Sequence, residues 1–365
     1  MKQLTAIALS GGVDSLVAAY LLKEQGHNLI GIHFITGYET DPDDEKSVFS
    51  NTDISPTTLA KKDALHITSQ LSDLVGIDVK PLDCRIDFKH KVVDYFTRTY
   101  QAGQTPNPCM VCNHEIKFGT VLDFARKLGA STLATGHYAG IKRDSQGRFH
   151  LIKGVDPKKE QSYFLALMSQ KQLARILFPL GKMTKSQVIK LAQKNSLEPI
   201  KKEESQDVCF IKNKNYGEFL SLQKGFEPKA GRIADVNGNL LGRHKGLHLF
   251  TIGQRRGINR PSSEPYYVVS MDPGQNLLTV GFKKDLLSFE CRVNHINWIN
   301  QKPSSPVTVH TRVRYRHNAA ASKLFPVNEK TAVVRFEKPQ SAITPGQCAV
   351  FYQDDEVLGG GWIAP

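Results

Sequence analysis

No stretch of the chain approaches the ~18 consecutive apolar residues of a membrane-spanning helix. The apolar run at the N-terminus, Leu4 to Leu9, stops at Ser10-Gly11-Gly12, too soon for the core of a secretory signal. Both observations argue for a cytoplasmic protein with no membrane partner. Cysteine is scarce, six in 365 residues. In a reducing compartment these six read as catalytic, metal-binding or buried, and not as a disulfide framework. The phosphate-binding pattern G-x-x-x-x-G-K-[ST] is missing. So are an internal repeat, a long low-complexity tract and a second Cys-x-x-Cys that would complete a zinc site.

Positive charge, by contrast, is in excess and unevenly spread. Lys plus Arg number 48 against 35 Asp plus Glu, a net charge of +13. Residues 141–260 hold 24 basic and 10 acidic residues, so the rest of the chain is near neutral at −1. One basic segment on an otherwise balanced chain fits a polyanionic partner, nucleic acid above all, held by phosphate contacts. A solvated lysine-rich surface is the plainer alternative.

The first part of the chain alternates strand and helix patterns. Strands are expected at Leu4–Leu9, Asn28–Ile35, Val79–Leu82 and Ser131–Thr135. Helices are expected at Asp14–Gln25, Ser55–Val75, Phe88–Ala102 and Asn113–Leu128, with Gly26 ending the first. This βαβα order implies an open parallel sheet covered by helices, with ligands at the carboxyl ends of the strands. A hairpin is expected over 141–153 around Asp144-Ser145-Gln146-Gly147, then helices near Ser162–Ser169 and Lys185–Asn195. From about residue 212 the texture turns to short strands: Arg232–Val236, Tyr266–Met271, Leu277–Gly281, Val307–Tyr315, Thr331–Phe336 and Gln347–Tyr352. Turns such as Asn237-Gly238 separate them, which points to one or two small β domains.

Three local patterns carry chemistry. Ser10-Gly11-Gly12-Val13-Asp14-Ser15 follows a strand and opens a helix. Glycines there let the backbone bend and present N–H groups, and the helix dipole adds positive potential, so the turn suits an anion. Asp14 makes sense beside phosphate if a divalent cation bridges the two. A plain Gly-Gly turn with a serine cap is the competing reading. The second pattern is Thr105-Pro106-Asn107-Pro108-Cys109-Met110-Val111-Cys112-Asn113. Asn113 would cap the next helix, and Cys112, at that helix start, would have a lowered pKa. The third is Lys202-Glu203-Glu204-Ser205-Gln206-Asp207-Val208-Cys209-Phe210, where Cys209 sits among Lys201, Lys202, Lys212 and Lys214. That setting favours a thiolate, although a small buried hydrophobe is an equal reading. Cys84, Cys291 and Cys348 have no partner at suggestive spacing and read as structural.

Ser10–Ser15 is the signature of the PP-loop ATP pyrophosphatase superfamily, also described as adenine nucleotide alpha hydrolase-like. Together with Thr105–Phe118, Ala134-Thr135-Gly136-His137-Tyr138, Gln161–Leu165, Leu177–Gly181, Thr251–Gly257, Arg314-Tyr315-Arg316, Pro345-Gly346-Gln347 and Gly359-Gly360-Gly361, the chain resembles the tRNA-specific 2-thiouridylase family from near residue 4 to near residue 363. The resemblance implies an α/β PP-loop domain over 1–211, a small central β-rich domain over 212–284 and a C-terminal β-barrel over 285–365. It implies an ATP-consuming sulfurtransferase that adenylates O2 of uridine 34 in the tRNA anticodon and replaces that oxygen with sulfur from a cysteine persulfide. ATP and Mg²⁺ would be the cofactors, and the partners the tRNA anticodon arm and a sulfur donor, either a sulfur relay protein or a cysteine desulfurase.

By the same resemblance ATP phosphates would lie on Ala8, Leu9, Ser10, Gly11, Gly12, Val13, Asp14 and Ser15, with Phe34 and Gly136 lining the nucleotide site. Asn107, Pro108 and Cys109 would face the target base. Cys112 matches the first catalytic cysteine and Cys209 the second, which carries the persulfide; a Cys112–Cys209 disulfide would remain after transfer. His137, Lys159, Glu160, Gln161, Arg314, Tyr315 and Gln347 fall at tRNA-contacting positions. The chain departs from the family pattern where Asn-Pro-Asp becomes Asn107-Pro108-Cys109, at Glu204–Cys209, at Phe34 and at Gly257-Ile258-Asn259-Arg260-Pro261. Cys109, Cys112 and Cys209 together also resemble a three-thiolate [4Fe–4S] site. A persulfide pair and a cluster-dependent thiolase are therefore both open, as is a PP-loop ligase adenylating a small metabolite. A non-catalytic RNA- or metal-binding module is a further alternative, with Ser10–Ser15 and the cysteines weighing against it.

Overall fold

The computed structural model describes residues 3–39, 58–200, 208–211 and 216–365. Two compact units divide the chain: Met1–Val92, Cys109–Lys212 and Asp355–Val357 form the first, and Val93–Pro108, Asn213–Asp354 and Leu358–Pro365 the second.

The first unit is built on a five-stranded sheet of β1 (Leu4–Ala8), β2 (Asn28–Ile35), β3 (Val79–Asp83), β4 (Thr132–Ala134) and β7 (Ile176–Leu177). Their order is β3-β2-β1-β4-β7 and all pairings are parallel. β1 is central, which explains its largely apolar sequence: Ala6 and Ile7 are fully buried, as is Leu9 just beyond it, as a strand covered on both faces requires. Leu16, Val17 and Ala19 of helix α1 (Val13–Glu24) join Leu71 and Val75 of α2 (Thr58–Val75) in the core, with Val188 and Ala192 from the helix Lys185–Lys194. Each large side chain buried this way contributes about 1.5–3 kcal/mol. The expected start of α2 at Ser55 lies outside the described residues.

The strand order reverses beside β1, because the chain proceeds outward to β2 and β3 and then returns to β4 on the other side. The carboxyl ends of β1 and β4 therefore flank the crevice where such sheets take ligands. The expected hairpin also forms, from β5 (Ala139–Arg143) and β6 (Phe149–Lys153). Asp144 turns it by accepting the Gln146 and Arg148 N–H groups. Glu356 and Val357 pair with Ile152 and Leu151 of β6.

Two all-β bodies make up most of the second unit. β8 (Gly231–Asp235), β9 (Leu240–His244), β10 (Tyr267–Asp272) and β11 (Leu277–Gly281) form a four-stranded sheet in the order β10-β11-β8-β9, around Ile233, Phe250, Val268, Leu278 and Val280. β12 (Leu287–Trp298), β13 (Val307–Arg312), β14 (Ala320–Pro326), β15 (Ala332–Ser341), β16 (Cys348–Gln353) and β17 (Glu356–Ile363) form a six-stranded barrel. It runs in the order β12-β15-β14-β13-β16-β17 and closes through β12–β17. Val293, Val309, Leu324, Val334, Ala349 and Phe351 fill it. The α/β fold with a β-rich centre and a C-terminal barrel is the architecture the resemblance implies. β9, β12, β14 and β17 are strands that the sequence pattern does not announce. β12, for example, has register breaks after Ser288 and Asn294 that disrupt its alternation.

Candidate active site

The turn after β1 is held by its own serines. Ser15 Oγ donates to the Gly12 carbonyl at 2.8 Å and accepts the Ser10 N–H at 3.3 Å, while Ser10 Oγ accepts the Gly12 N–H at 3.4 Å. Ala8 and Leu9 are buried beneath the turn, and Leu9 is pinned to the sheet through its N–H to Ile32 and its carbonyl to His33. α1 then begins at Val13 with no side-chain cap, so the first amides of the helix point out of its N-terminus. Gly136, at the end of β4, packs directly on this segment. A Cβ at Gly136 would stand 2.8 Å from the Asp14 carbonyl carbon and 3.0 Å from the Ser15 nitrogen. Only glycine permits that approach, so Gly136 and the turn form one surface. Phe34, half-buried at the end of β2, pairs in register with Leu82.

Asp14 does not stand free for a cation. Both its oxygens lie 2.8 Å from Lys185 Nζ, and the Tyr138 hydroxyl donates to Oδ1 at 2.7 Å. The Lys185 side chain is not singled out by any sequence pattern, and Tyr138 enters there only within Ala134–Tyr138, with no partner for its hydroxyl. A signal existed for the place of Lys185 in the chain: Thr184 and Gln187 form a reciprocal capping box that fixes the helix start at Lys185. Nothing in the spacing tells that its side chain reaches 171 residues back to Asp14. The Lys185 amide donates to Asp156 Oδ2 at 2.7 Å. Burial raises the Asp156 pKa, but the amides of Lys185, Lys158 and Lys159 outweigh it and leave the carboxyl below its usual range. As arranged here, Asp14 does not fit the expected role of a Mg²⁺ ligand, since its oxygens are already taken by the ammonium and the phenol.

Cys109, Cys112 and Cys209 all lie in the first unit, and none of the six cysteines is in a disulfide. The expectation of an acidified Cys112 is overturned. Pro108 opens a short helix, Pro108–Val111, which runs straight into π-helical turns over Cys112–Val121. Cys112 is thus a full turn inside the helical run and loses the dipole benefit of a helix start. Burial raises its thiol to about 12, with Lys117 pulling down and the Cys209, Cys109 and Cys84 sulfurs pushing up. Burial likewise raises Cys109 to about 11, with Cys209 adding to the rise and Lys117 opposing it. Both side chains keep a partly open face, so they are desolvated yet reachable. Asn113 does not cap a helix either. It is buried, its Nδ2 donates to the Phe164 carbonyl at 3.4 Å, and its Oδ1 has no hydrogen-bond partner.

Lys117 is a second residue the sequence reading missed. In π-helical turns the fifth residue on swings back toward the first, whereas in an α-helix it would point far round the axis. Lys117 is five beyond Cys112, and its charge acts on Cys112, Cys109 and His137 alike. Cys209 is exposed, and its neighbour Phe210 is buried between the rings of Tyr38 and Phe88, at 5.9 and 5.7 Å. That aromatic anchor fixes Cys209 beyond the carboxyl ends of β2 and β3. Among the described residues no group of three or more His, Cys, Asp or Glu side chains is arranged to hold a metal ion. The three thiols as they stand therefore do not make the cluster site considered above. Lys201, Lys202, Lys212 and Lys214 lie outside the described residues.

The positions assigned to tRNA contact are distributed over both units. His137 is buried between Phe118 and Phe178, and shares a 2.7 Å hydrogen bond with Thr135. Burial, then Lys117, drives its pKa well below the ordinary value, so it is neutral. Gln161 is docked on the same loop: its side chain accepts the Tyr138 N–H and its N–H donates to the Tyr138 carbonyl. Glu160 is buried and accepts the Ser162 N–H, while Lys159 is half-buried. In the second unit Asn107 donates its N–H to the Tyr95 hydroxyl, just before Pro108. Gln347 Nε2 donates to the carbonyls of Thr105 and Pro106, bracing the same segment. Arg314 donates to the Ser341 carbonyl, and the Tyr315 ring lies under the Arg312 guanidinium.

Comparison with known proteins adds the lineage. Residues 3–213 match the tRNA methyl transferase HUP domain, 218–282 the tRNA methyl transferase PRC-barrel domain and 288–363 the Aminomethyltransferase beta-barrel domain. The chain is 48% identical to the tRNA-specific 2-thiouridylase MnmA of Desulfosudis oleivorans, over 99% of this chain and 94% of that protein. It is 40% identical to the MnmA of Geotalea uraniireducens, over 99% and 95%, and 41% identical to that of Syntrophotalea carbinolica, over 98% and 97%. Agreement at this level from one end of the chain to the other leaves one assignment: the chain belongs to the tRNA-specific 2-thiouridylase family.

Proposed function

We propose that the chain is an ATP-dependent tRNA 2-thiouridylase, which activates O2 of uridine 34 as an adenylate and delivers sulfur from a persulfide on Cys209. One observation carries the reading: an anion-type turn at the switch point of the sheet, Ser10–Ser15, shares its compact unit with the Cys109-x-x-Cys112 pair and Cys209. An adenylating turn alone would fit many substrates. Thiols added to it call for sulfur chemistry.

ATP supplies the activating group, and the residues of the chain arrange it. The outward amides of the turn and the α1 dipole face the phosphates and favour departure of pyrophosphate as O2 attacks the α phosphorus. The terminal persulfide sulfur of Cys209 then attacks C2, and AMP leaves with the former O2. Cys112 Sγ next attacks the Cys209 sulfur. The sulfur–sulfur bond to the nucleobase breaks, the base keeps the sulfur, and a Cys112–Cys209 disulfide forms. A sulfur-donor protein and a reductant of the thiol class reset the pair. Uridine has to leave its stack to reach such a site, and the basic 141–260 segment would hold the anticodon arm by its phosphates.

The test is thiolation of transcribed tRNA with a sulfide or persulfide donor, read by nucleoside mass spectrometry alongside pyrophosphate release. Cys112→Ser and Cys209→Ser should each abolish 2-thiouridine, and Cys209→Ser should still release pyrophosphate. Full thiolation by Cys209→Ser, or turnover of ATP that ignores tRNA, would sink the reading.

A further inference from the structure

The partnership of Asp14 with Lys185 has no evident architectural purpose. The helix Lys185–Lys194 is already fixed by its capping box, by Asp156 on the Lys185 amide and by Val188 and Ala192 in the core. Bringing an ammonium into a site where its side chain is only 12% exposed costs desolvation, and a carboxylate at the mouth of an anion turn would repel phosphate. Each cost is offset when the two are held together. The pair carries no net charge, but its ammonium is held as a fixed donor beside the start of α1, and the carboxylate's repulsion of phosphate is offset.

We infer that Lys185 is a phosphate-binding residue of the nucleotide site, and that Asp14 and Tyr138 are positioning residues which aim its ammonium at the turn in place of a metal ligand at Asp14. The inference rests on the ATP reading above and deepens it. Three observations and one general property support it. Both Asp14 oxygens are 2.8 Å from the ammonium nitrogen, a charge-assisted arrangement that an incoming dication would have to break against like charge. Tyr138 adds a 2.7 Å donor to Oδ1, which leaves the carboxylate still poorer as a metal ligand. Gly136, which comes two residues before Tyr138, is pressed on the Asp14 backbone, so the loop carrying the phenol and the turn keep one register. An ammonium is, finally, a compact point charge of the kind that suits pyrophosphate.

The experiment uses the full chain and α,β-methylene-ATP, which is not cleaved, with inorganic pyrophosphate as the second probe. Binding is measured by calorimetry for wild type, Lys185→Met, Lys185→Arg, Asp14→Asn and the Lys185→Met/Asp14→Asn double variant, each checked for folding by thermal melting. Lys185→Met should weaken both probes by about tenfold or more, and Lys185→Arg should recover part of the loss. Asp14→Asn should weaken them less, and the double variant should be no worse than Lys185→Met, because the two act as one unit. The Mg²⁺ concentration giving half-maximal pyrophosphate release at saturating ATP should be the same in Asp14→Asn as in wild type. Wild-type affinity in Lys185→Met overturns the assignment, and so does a tenfold rise in the Mg²⁺ requirement confined to Asp14→Asn. Failure of the wild-type chain to bind α,β-methylene-ATP would overturn the ATP reading itself, and the role of the lysine with it.

Discussion

Phe210 packs edge-on against Phe88 with ring centroids 5.7 Å apart, and this pair tethers the exposed Cys209 to the carboxyl end of the sheet. Tyr38 closes the other side at 5.9 Å. A thiol that has to meet a nucleobase needs its backbone held within a narrow range, and misplacement by an ångström is costly in rate. Phe210→Ala removes the anchor, which lies outside the main core. It should therefore lower 2-thiouridine formation by an order of magnitude or more while leaving ATP-dependent pyrophosphate release near wild type. Phe210→Leu, which keeps most of the apolar contact, should recover much of the rate. Equal loss of both activities in Phe210→Ala would show that the ring supports the whole unit, and not the cysteine.

Burial keeps Cys112 protonated at rest. With its thiol pushed to about 12, the thiolate fraction at pH 7 is on the order of 10⁻⁵. Carbamidomethylation by iodoacetamide should thus mark the exposed Cys209 first. The Cys112 rate should climb about tenfold per pH unit through pH 10, as followed by peptide mass spectrometry. Among the described residues Lys117 supplies the charge that stabilises the thiolate, so Lys117→Met should slow Cys112 labelling severalfold at every pH. Fast labelling of Cys112 at pH 7 would contradict the assigned burial. The same shift bears on stability. A thiol whose pKa is raised on folding stabilises the native state below the unfolded value near 9, and that contribution is lost as pH rises toward 12. The melting temperature should accordingly fall above about pH 9, less so in Cys112→Ser.

What could be read from the sequence follows from how local each signal is. Leu4–Leu9 announces a buried parallel strand because both its faces are covered, and the Gly-Gly bend after it is a local event. Pro108 is itself a local helix-start signal, and the helix that opens there carries Cys112 inside the helical run. Gly359-Gly360-Gly361 reads as a poor strand, yet it lies in β17. Glycine is required there because a Cβ at Gly359 would stand 2.3 Å from the Asn297 carbonyl oxygen where the barrel closes. That demand comes from a strand some sixty residues away in the chain, which no propensity records. The contacts of Lys185 with Asp14, and of Lys117 with the thiols, are set by the sheet order and by a π-helical turn respectively. Spacing alone encodes neither.

Gly136 offers a test of the nucleotide surface that leaves every polar group in place. A methyl there meets the Asp14 and Ser15 backbone at 2.8–3.0 Å, and backbone cannot step aside as a flexible side chain can. Gly136→Ala should push the turn away from β4, weaken α,β-methylene-ATP binding by at least tenfold and cost ~1–3 kcal/mol of stability, as overpacked sites do. Gly140→Ala is the control, since its new Cβ would find Ile152 at 3.5 Å, an ordinary contact. Nucleotide affinity and melting should both stay close to wild type there. If Gly136→Ala melted lower yet bound nucleotide as before, the close approach would serve packing alone.

His150 links three segments of the first unit. Its Nδ1 lies 2.7 Å from Glu356 and its Nε2 3.2 Å from Asp144. The bond to Glu356 is the largest influence on its pKa; burial opposes it, Asp144 adds to it, and the net direction is upward from 6.5. A histidine whose folded pKa exceeds its unfolded value stabilises the fold fully below about pH 6.5. That contribution disappears as pH rises through the folded value. The three side chains are partly exposed, so solvent screening keeps the contribution small. Amide exchange in β5 and β6 should therefore speed up beyond the intrinsic rate as pH rises above about 6.5. His150→Gln should flatten that dependence while holding the hairpin at the level of the neutral form. A pH response that survives His150→Gln would have to originate in another titrating group of the hairpin.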